Sequence, residues 1–212
     1  EADLRGQGLS DGELAELAKS TQLVRLDIRE NDVSAEQFDA LSAALPHCEI
    51  LWSVPVGGER FDSDATRLTL PAIDAAELQM LRYFPNLASV DATSCTCYDA
   101  LLAMRDARPE CAFLWNVSLG GRQVPSTETA LDLSGAAVTA GELSAALPYL
   151  PALTGVDLHD TGLDGQALSA LITGHPGIRF EANLDVCGKL LDLSATALDL
   201  SDAPAYDAEA LS

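Results

Sequence analysis

The chain has 212 residues, of which 48% are hydrophobic, and it carries a formal net charge of −21. This apolar fraction argues against a wholly disordered chain, and the length is enough for one sizeable core or for an elongated repeat structure. With only 12 Lys and Arg residues, the sequence lacks the basic stripe that nucleic acid or an anionic membrane surface would require.

Two leucine-based units open the chain. The first carries apolar positions up to Leu9 and is followed by Ser10-x-x-Glu13, a spacing typical of a helix start. The second places five residues at spacings of 0, 3, 5, 8 and 10 and is followed by Ser34-x-x-Gln37. Those five residues are Leu23, Leu26, Ile28, Asn31 and Val33. Each unit therefore predicts a short strand followed by a helix.

A third unit follows and differs from the first two. Apolar residues alternate from Cys48 to Val56, which indicates a half-buried strand, and a Gly57-Gly58 pair ends it. The polar stretch 59–66 has no helical period, so this unit is expected to lack a helix. We expect Trp52 to fill the space that the helix would occupy, and an aromatic ligand site is the alternative.

The same order of units recurs along the chain. The segment 51–58 returns 63 residues later as 114–121, so that Trp115 matches Trp52, and a weaker copy lies at 182–188. We assign super-repeats to about 1–66, 67–129 and 130–189, with a partial copy at 190–212. Helix starts are also predicted at Asp74-x-x-Glu77 and Thr139-x-x-Glu142.

The middle units give the most specific signal. Leu87, Val90, Ala92, Cys95 and Cys97 repeat the spacing of 23–33, and so does the segment 153–163. This pattern resembles the leucine-rich repeat family, whose signature is L-x-x-L-x-L-x-x-N/C-x-L. The resemblance implies an α/β solenoid over residues 1–212, with one curved parallel sheet on the concave side and short helices on the convex side. About ten strands would give a sheet roughly 40–45 Å long at about 4.8 Å per strand.

Acidic residues occupy the outward positions between the strand leucines. They are Asp27, Asp91 and Asp157 in the middle units, and Asp3, Asp132 and Asp192 in the first units. Neighbouring carboxylates repel, so one hypothesis is a concave binding surface for a basic partner or for Ca²⁺. The alternative is a local sequence preference, with carboxylates solvated or bonded to nearby hydroxyls. Ser53, Asn116 and Asn183 are expected near the same row. His159 shares this surface with Asp157 and could join a metal site.

No catalytic residue or cofactor site is predicted, because the sequence lacks H-E-x-x-H and Walker motifs. Five cysteines form no disulfide framework, so buried free thiols are expected. The resemblance implies a non-catalytic binding or scaffold module for a protein or glycan partner. The alternatives are the recognition part of a larger enzyme or metal-dependent effector, with its catalytic domain outside this fragment, and a purely architectural spacer. We expect a trimmed fragment of a bacterial secreted or cell-surface protein, not inserted in the membrane.

Overall fold

The computed structural model describes residues 1–186 and 189–193, and it has mixed α/β structure. The chain divides into two compact units, Glu1–Trp115 and Asn116–Ser212, which are considered separately below. Among the described residues there are six α-helices. They are α1 (Asp11–Leu17), α2 (Ala35–Ala44), α3 (Ala75–Leu78), α4 (Tyr98–Ala107), α5 (Ala140–Ala146) and α6 (Gly165–Gly174). The 3₁₀ turns Gln79–Tyr83 and Leu147–Tyr149 extend α3 and α5.

The strands are short, and up to four of them follow one another between successive helices. In the compact unit Glu1–Trp115 they are β1 (Ala2–Asp3), β2 (Arg25–Asp27), β3 (Glu49–Leu51), β4 (Ser53–Val56), β5 (Glu59–Asp62), β6 (Arg67–Thr69), β7 (Ser89–Asp91) and β8 (Ala112–Leu114). In the other compact unit, which begins at Asn116, they are β9 (Asn116–Leu119), β10 (Arg122–Pro125), β11 (Ala130–Asp132), β12 (Gly155–Asp157), β13 (Arg179–Glu181), β14 (Asn183–Val186) and β15 (Lys189–Asp192).

Parallel strands form three similar sheets of three strands each. We call β1–β2–β3 the first sheet, β6–β7–β8 the second sheet and β11–β12–β13 the third sheet. In the middle strands the central residues, Leu26, Val90 and Val156, are buried, whereas the residues on either side of them are more exposed. One face of each sheet therefore contributes to the core, and the other, which we call the open face, is accessible to solvent except at Leu51 of the first sheet, which is buried.

The signature residue Asn31 joins the first two strands of the first sheet. Its side chain is only 2% exposed. The Nδ2 atom donates to the carbonyl oxygens of Leu4 and Ile28, at 2.8 and 3.0 Å, and Oδ1 accepts from the amides of Gly8 and Leu9, at 2.8 and 3.1 Å. These bonds satisfy backbone groups in the turns that follow the strands. A buried polar position in the leucine-rich signature thus has a structural role here.

The predicted helix starts are confirmed. The side chains of Ser10, Ser34, Asp74 and Thr139 each accept from the backbone amide three residues later, and the Glu or Gln at that position binds back to the cap residue's amide. These reciprocal bonds satisfy donors that the first helical turn leaves unpaired. Helix α4 begins at Tyr98, and its N-cap residue, Cys97, makes no such side-chain bond.

The polar stretches of the third units form strands, which the sequence pattern did not predict. β4 and β5 pair antiparallel, as do β9 with β10 and β14 with β15. Gly57 and Gly58 have φ angles of 60° and 79°, which suits the tight two-residue turn of a hairpin. Among the residues that the structure describes, each third unit therefore lacks a helix and carries a β-hairpin in its place.

The parallel strands also do not form one continuous sheet among the described residues, contrary to the prediction. The predicted strand of each third unit is interrupted, at Trp52 in the first copy and at Ala182 in the last. The carbonyl of Trp52 accepts from Ser63, and that of Ala182 accepts from Leu193. The chain thereby leaves the parallel sheet and enters the hairpin.

The partial super-repeat at 190–212 needs a related correction. The repeat spacing places Leu191 in a new first unit, but this residue lies in β15 and pairs with Leu184 of the third hairpin. Asp192 likewise ends the return strand of this hairpin. The remaining residues of that predicted copy, 194–212, lie outside the described residues.

Candidate functional site

Five aspartates lie at the carboxyl ends of parallel strands. We call Asp3, Asp27, Asp91, Asp132 and Asp157 the strand-end aspartates. Asp3 lies opposite Asp27 in the first sheet, and Asp132 lies opposite Asp157 in the third. In the second sheet, Asp91 lies opposite Thr69. The sequence prediction of an acidic row therefore holds within the first and third sheets, where two carboxylates occupy adjacent strands.

Each strand-end aspartate accepts a hydrogen bond from the backbone amide two residues later. The bonded amides belong to Arg5, Arg29, Thr93, Ser134 and His159, at 2.9–3.3 Å from Oδ1. Such a bond closes the turn that follows the strand and explains why Asp recurs at this position. The row therefore has a structural role in every copy.

The carboxylates of Asp91 and Asp132 are also hydrogen-bonded to neighbouring hydroxyls. The alternative to a binding surface, a local sequence preference for Asp, predicted such bonds. Thr93 Oγ1 donates to Asp91 at 2.7 Å, and Ser134 Oγ donates to Asp132 at 2.6 Å. These hydroxyl and amide bonds lower the pKa of both aspartates. Both carboxylates are therefore charged at neutral pH.

In the first sheet, two arginines neutralise the strand-end aspartates. Arg5 lies 2.8 Å from Asp3, and its hydrogen bond lowers the pKa of that carboxyl to about 2. Arg29 Nη2 lies 2.6 Å from Asp27 and lowers the pKa of Asp27 in the same way. Repulsion between the two adjacent carboxylates is thus offset by two cations, each two residues along the chain.

The third sheet has a different balance of charge. Its strand-end row consists of Asp132, Asp157 and Glu181, which are in register on neighbouring strands. Glu181 pairs with Arg179 at 2.9 Å. Ala130, Gly155 and Arg179 occupy the preceding row, and because the first two residues are small, the open face has a depression of about 210 Å³ that Arg179 also lines. A single extended side chain of a partner would fit a depression of this size.

His159 bridges two carboxylates beside that row. Its Nδ1 lies 2.5 Å from Asp157 Oδ1, and its Nε2 lies 3.0 Å from Asp192 Oδ2. These two hydrogen bonds raise the pKa of His159 to about 8. A protonated imidazole that donates from both nitrogens has no lone pair for a metal ion.

Among the described residues, the geometry provides no set of ligands for Ca²⁺ or another metal ion. Across residues 1–186 and 189–193, no group of three or more His, Cys, Asp or Glu side chains is placed to hold a metal ion. The contacts of His159 with its two aspartates are hydrogen-bonded ion pairs. We assign no metal ligands.

The structure places the third-unit polar residues beside the turns and not in the row itself. Ser53 Oγ and Asn183 Oδ1 accept from the amides of Glu30 and Asp160, at 3.0 and 2.9 Å. Glu30 and Asp160 have positive φ angles, 62° and 57°, and these bonds help to hold that conformation. Asp27 has Leu51 as its register partner in β3, and Asp157 has Glu181 in β13. The sequence analysis missed Glu181 because it expected Asn183, two residues later, to be the neighbour of Asp157 in the third sheet.

Three aromatic residues of the compact unit Glu1–Trp115 form a packed cluster. Trp52 is 0% exposed, and it stacks on Phe38 with ring centroids 4.3 Å apart. Tyr83 meets Trp52 edge-on at 5.1 Å. Since Trp52 is covered and Trp115 is also buried, the prediction that both tryptophans fill the core is confirmed. The four cysteines in the described part of the chain are free thiols, but only Cys95 and Cys111 are buried, so the expectation of buried thiols holds for two of them.

One further motif occurs near the start of the sequence. Residues 8–12 have the G-x-S-x-G spacing of a hydrolase nucleophile, with Ser10 at its centre. Ser10 caps α1, and its Oγ donates to Glu13 at 2.7 Å. The hydroxyl is therefore engaged in the capping box, which accounts for the serine without a catalytic role.

No protein-family model matches the chain, and no curated protein is significantly similar to it. Within the part of the chain that the structure describes, no helix is both long and apolar enough to cross a membrane.

Proposed function

We propose that the chain is a leucine-rich-repeat-like solenoid that acts as a non-catalytic binding module. The observation that supports this best is the open face that recurs in all three sheets. Parallel sheets in α/β proteins are usually covered on both faces, so a repeatedly uncovered face needs an explanation. Solenoid repeats commonly use such an extended face to bind a partner.

The third sheet is the proposed contact for a basic side chain. Its depression lies next to Asp132, which is bonded to the amide and hydroxyl of Ser134. In the first sheet, by contrast, both strand-end carboxylates are paired with arginine. A Lys or Arg of a protein partner would fill the depression and offset the excess of negative charge there.

A peptide selection tests this proposal and does not require the natural partner. A random peptide library is selected on the immobilised chain, and the affinity of the enriched peptides is measured by fluorescence polarisation at two salt concentrations, with and without Ca²⁺. We expect peptides rich in Lys or Arg whose binding weakens with salt. We expect no requirement for Ca²⁺.

Two variants locate the binding site. Asp132→Asn removes one charge but keeps the oxygen that accepts the Ser134 amide bond. Ala130→Leu fills the depression. Each should weaken binding about tenfold, equivalent to roughly 1.4 kcal/mol. Glu36→Gln is the matched control, because it removes one exposed carboxylate from helix α2.

The results separate the possible partners. Selection of neutral peptides, or equal affinity for the wild type, Asp132→Asn and Ala130→Leu, would contradict the proposed contact. Enrichment of a neutral glycan on an array, unaffected by Asp132→Asn, would indicate a glycan partner instead. An equal loss of affinity in Asp132→Asn and Glu36→Gln would contradict the proposed contact, because it would indicate only a general charge effect.

A further inference from the structure

Arg29 and His159 occupy equivalent places in the first and third super-repeats. Each follows a strand-end aspartate by two residues and binds it, Arg29 with Asp27 and His159 with Asp157. The two residues also approach equivalent positions on a hairpin. Arg29 Nη1 lies 3.5 Å from Asp62 Oδ2 and 3.4 Å from Asp64 Oδ2, just beyond the return strand, and His159 Nε2 lies 3.0 Å from Asp192 Oδ2.

The register of the hairpins confirms this equivalence. Asp62 is the last residue of β5 and pairs with Ser53, the first residue of β4. Asp192 is the last residue of β15 and pairs with Asn183, the first residue of β14. In both copies, therefore, one cation links the end of the middle parallel strand to the end of the return strand. The second super-repeat has Thr93 and Pro125 at these positions and cannot form the same ionic link.

We propose that these cations are clasps that hold each hairpin against its parallel sheet, and that the third clasp is pH-dependent because it is a histidine. Protonated His159 donates to Asp157 and Asp192 at the same time. Neutral imidazole has only one N–H group, so one of the two bonds must be lost on deprotonation. Arg29 stays charged at every pH of interest, so the first clasp remains closed.

The charges around His159 favour its protonated form. Asp157 comes from β12 and Asp192 from β15, and both contact the ring directly. Glu181 of β13 and Asp132 of β11 lie in register with Asp157, and Asp160 is the next residue after His159. Arg179 opposes them but is paired with Glu181.

The direction of the pH effect follows from these contacts. The pKa of His159 lies at about 8 in the folded chain, above the ordinary value of about 6.5. The clasp therefore contributes fully to stability below about pH 6.5, and this contribution is lost as the pH rises through about 8. Opening should expose the β14–β15 hairpin beside the open face of the third sheet.

Two NMR measurements on the full chain test the inference. The ring signals of His159 give its titration midpoint, and amide hydrogen exchange, corrected for the intrinsic rate, gives the protection of β15. We expect a midpoint near 8 and a several-fold loss of β15 protection over the same pH range. In Asp192→Asn, the midpoint should move towards 6.5, because one carboxylate is replaced by a neutral amide.

Swapping the two clasps provides the matched controls. His159→Arg should keep β15 protected at high pH, and Arg29→His should make the protection of β5 pH-dependent. A wild-type β15 that keeps its protection through the His159 titration would overturn the inference. An unchanged midpoint in Asp192→Asn would also overturn it, even if His159→Arg failed to fold. Neither readout involves a binding partner, so the inference stands or falls separately from the proposed function.

Discussion

Substitutions at Trp52 test the packing of the aromatic cluster that this residue forms with Phe38 and Tyr83. The side chain is 0% exposed and contacts Phe38 and Tyr83. Its indole nitrogen, however, has no hydrogen-bond partner among the described residues. A buried N–H of this kind costs about 1–3 kcal/mol in lost hydration. Replacing Trp52 with Phe and with Ala should therefore have very different effects.

The two magnitudes follow from packing and hydrogen bonding. Trp52→Ala removes the whole ring and should reduce the free energy of unfolding by about 3–5 kcal/mol. Trp52→Phe leaves a cavity of roughly 40 Å³, which costs about 1 kcal/mol at about 24 cal/mol per Å³. It also removes the unpaired N–H, which offsets a cost of this order. We expect Trp52→Phe to lie within about 1 kcal/mol of the wild type.

Urea unfolding followed by far-ultraviolet circular dichroism gives the comparison. This signal comes mainly from the backbone amides, so the unfolding transition can still be followed when one of the two tryptophans is removed. The free energies of unfolding are compared only between variants whose m-value, the slope of that free energy against urea concentration, is unchanged. A changed m-value would indicate loss of two-state unfolding. If Trp52→Phe destabilised the chain as much as Trp52→Ala, the packing and hydrogen-bonding argument would be refuted.

Two further pairs of substitutions test the turn geometry and the buried signature residue. Gly57→Ala should destabilise more than Gly58→Ala in thermal unfolding, because a Cβ at Gly57 would lie 2.4 Å from Pro71 Cγ, whereas one at Gly58 meets nothing within 4 Å. Both have positive φ, so equal losses would show that backbone strain alone matters. Asn31→Ala should cost about 3 kcal/mol in urea unfolding, because it leaves buried backbone groups unpaired. Thr161→Ala, at the equivalent position, should cost only about 1 kcal/mol, since its hydroxyl makes one bond, to Leu158 O at 2.8 Å. Similar losses for the two would contradict the role assigned to Asn31.

The features that sequence reasoning predicted correctly depend on short-range spacing. The helix start at Ser34 and Gln37 is encoded by two residues three positions apart, and both of its hydrogen bonds are present. Burial of Leu26 and exposure of Arg25 follow from the alternation along one strand. These features are local, so one super-repeat was enough to predict them and the other two repeated the signal.

The features that were missed depend on pairing between distant segments. Glu59–Asp62 has mixed polar character, and it becomes a strand because the Gly57-Gly58 turn brings it back against β4. The position of Glu181 depended on where the chain leaves the parallel sheet. The bond between His159 and Asp192 joins residues 33 positions apart, and it required the register of the third hairpin. No local pattern carries this information.

The most direct test of the proposed binding function is to map where a selected basic peptide contacts the chain. Backbone amide shifts in a ¹⁵N-labelled sample would be recorded while the peptide is added. The proposal predicts that the largest changes lie in β11, β12 and β13, and that they disappear in Ala130→Leu. Changes concentrated on helices α5 and α6, with the third sheet unaffected, would contradict it.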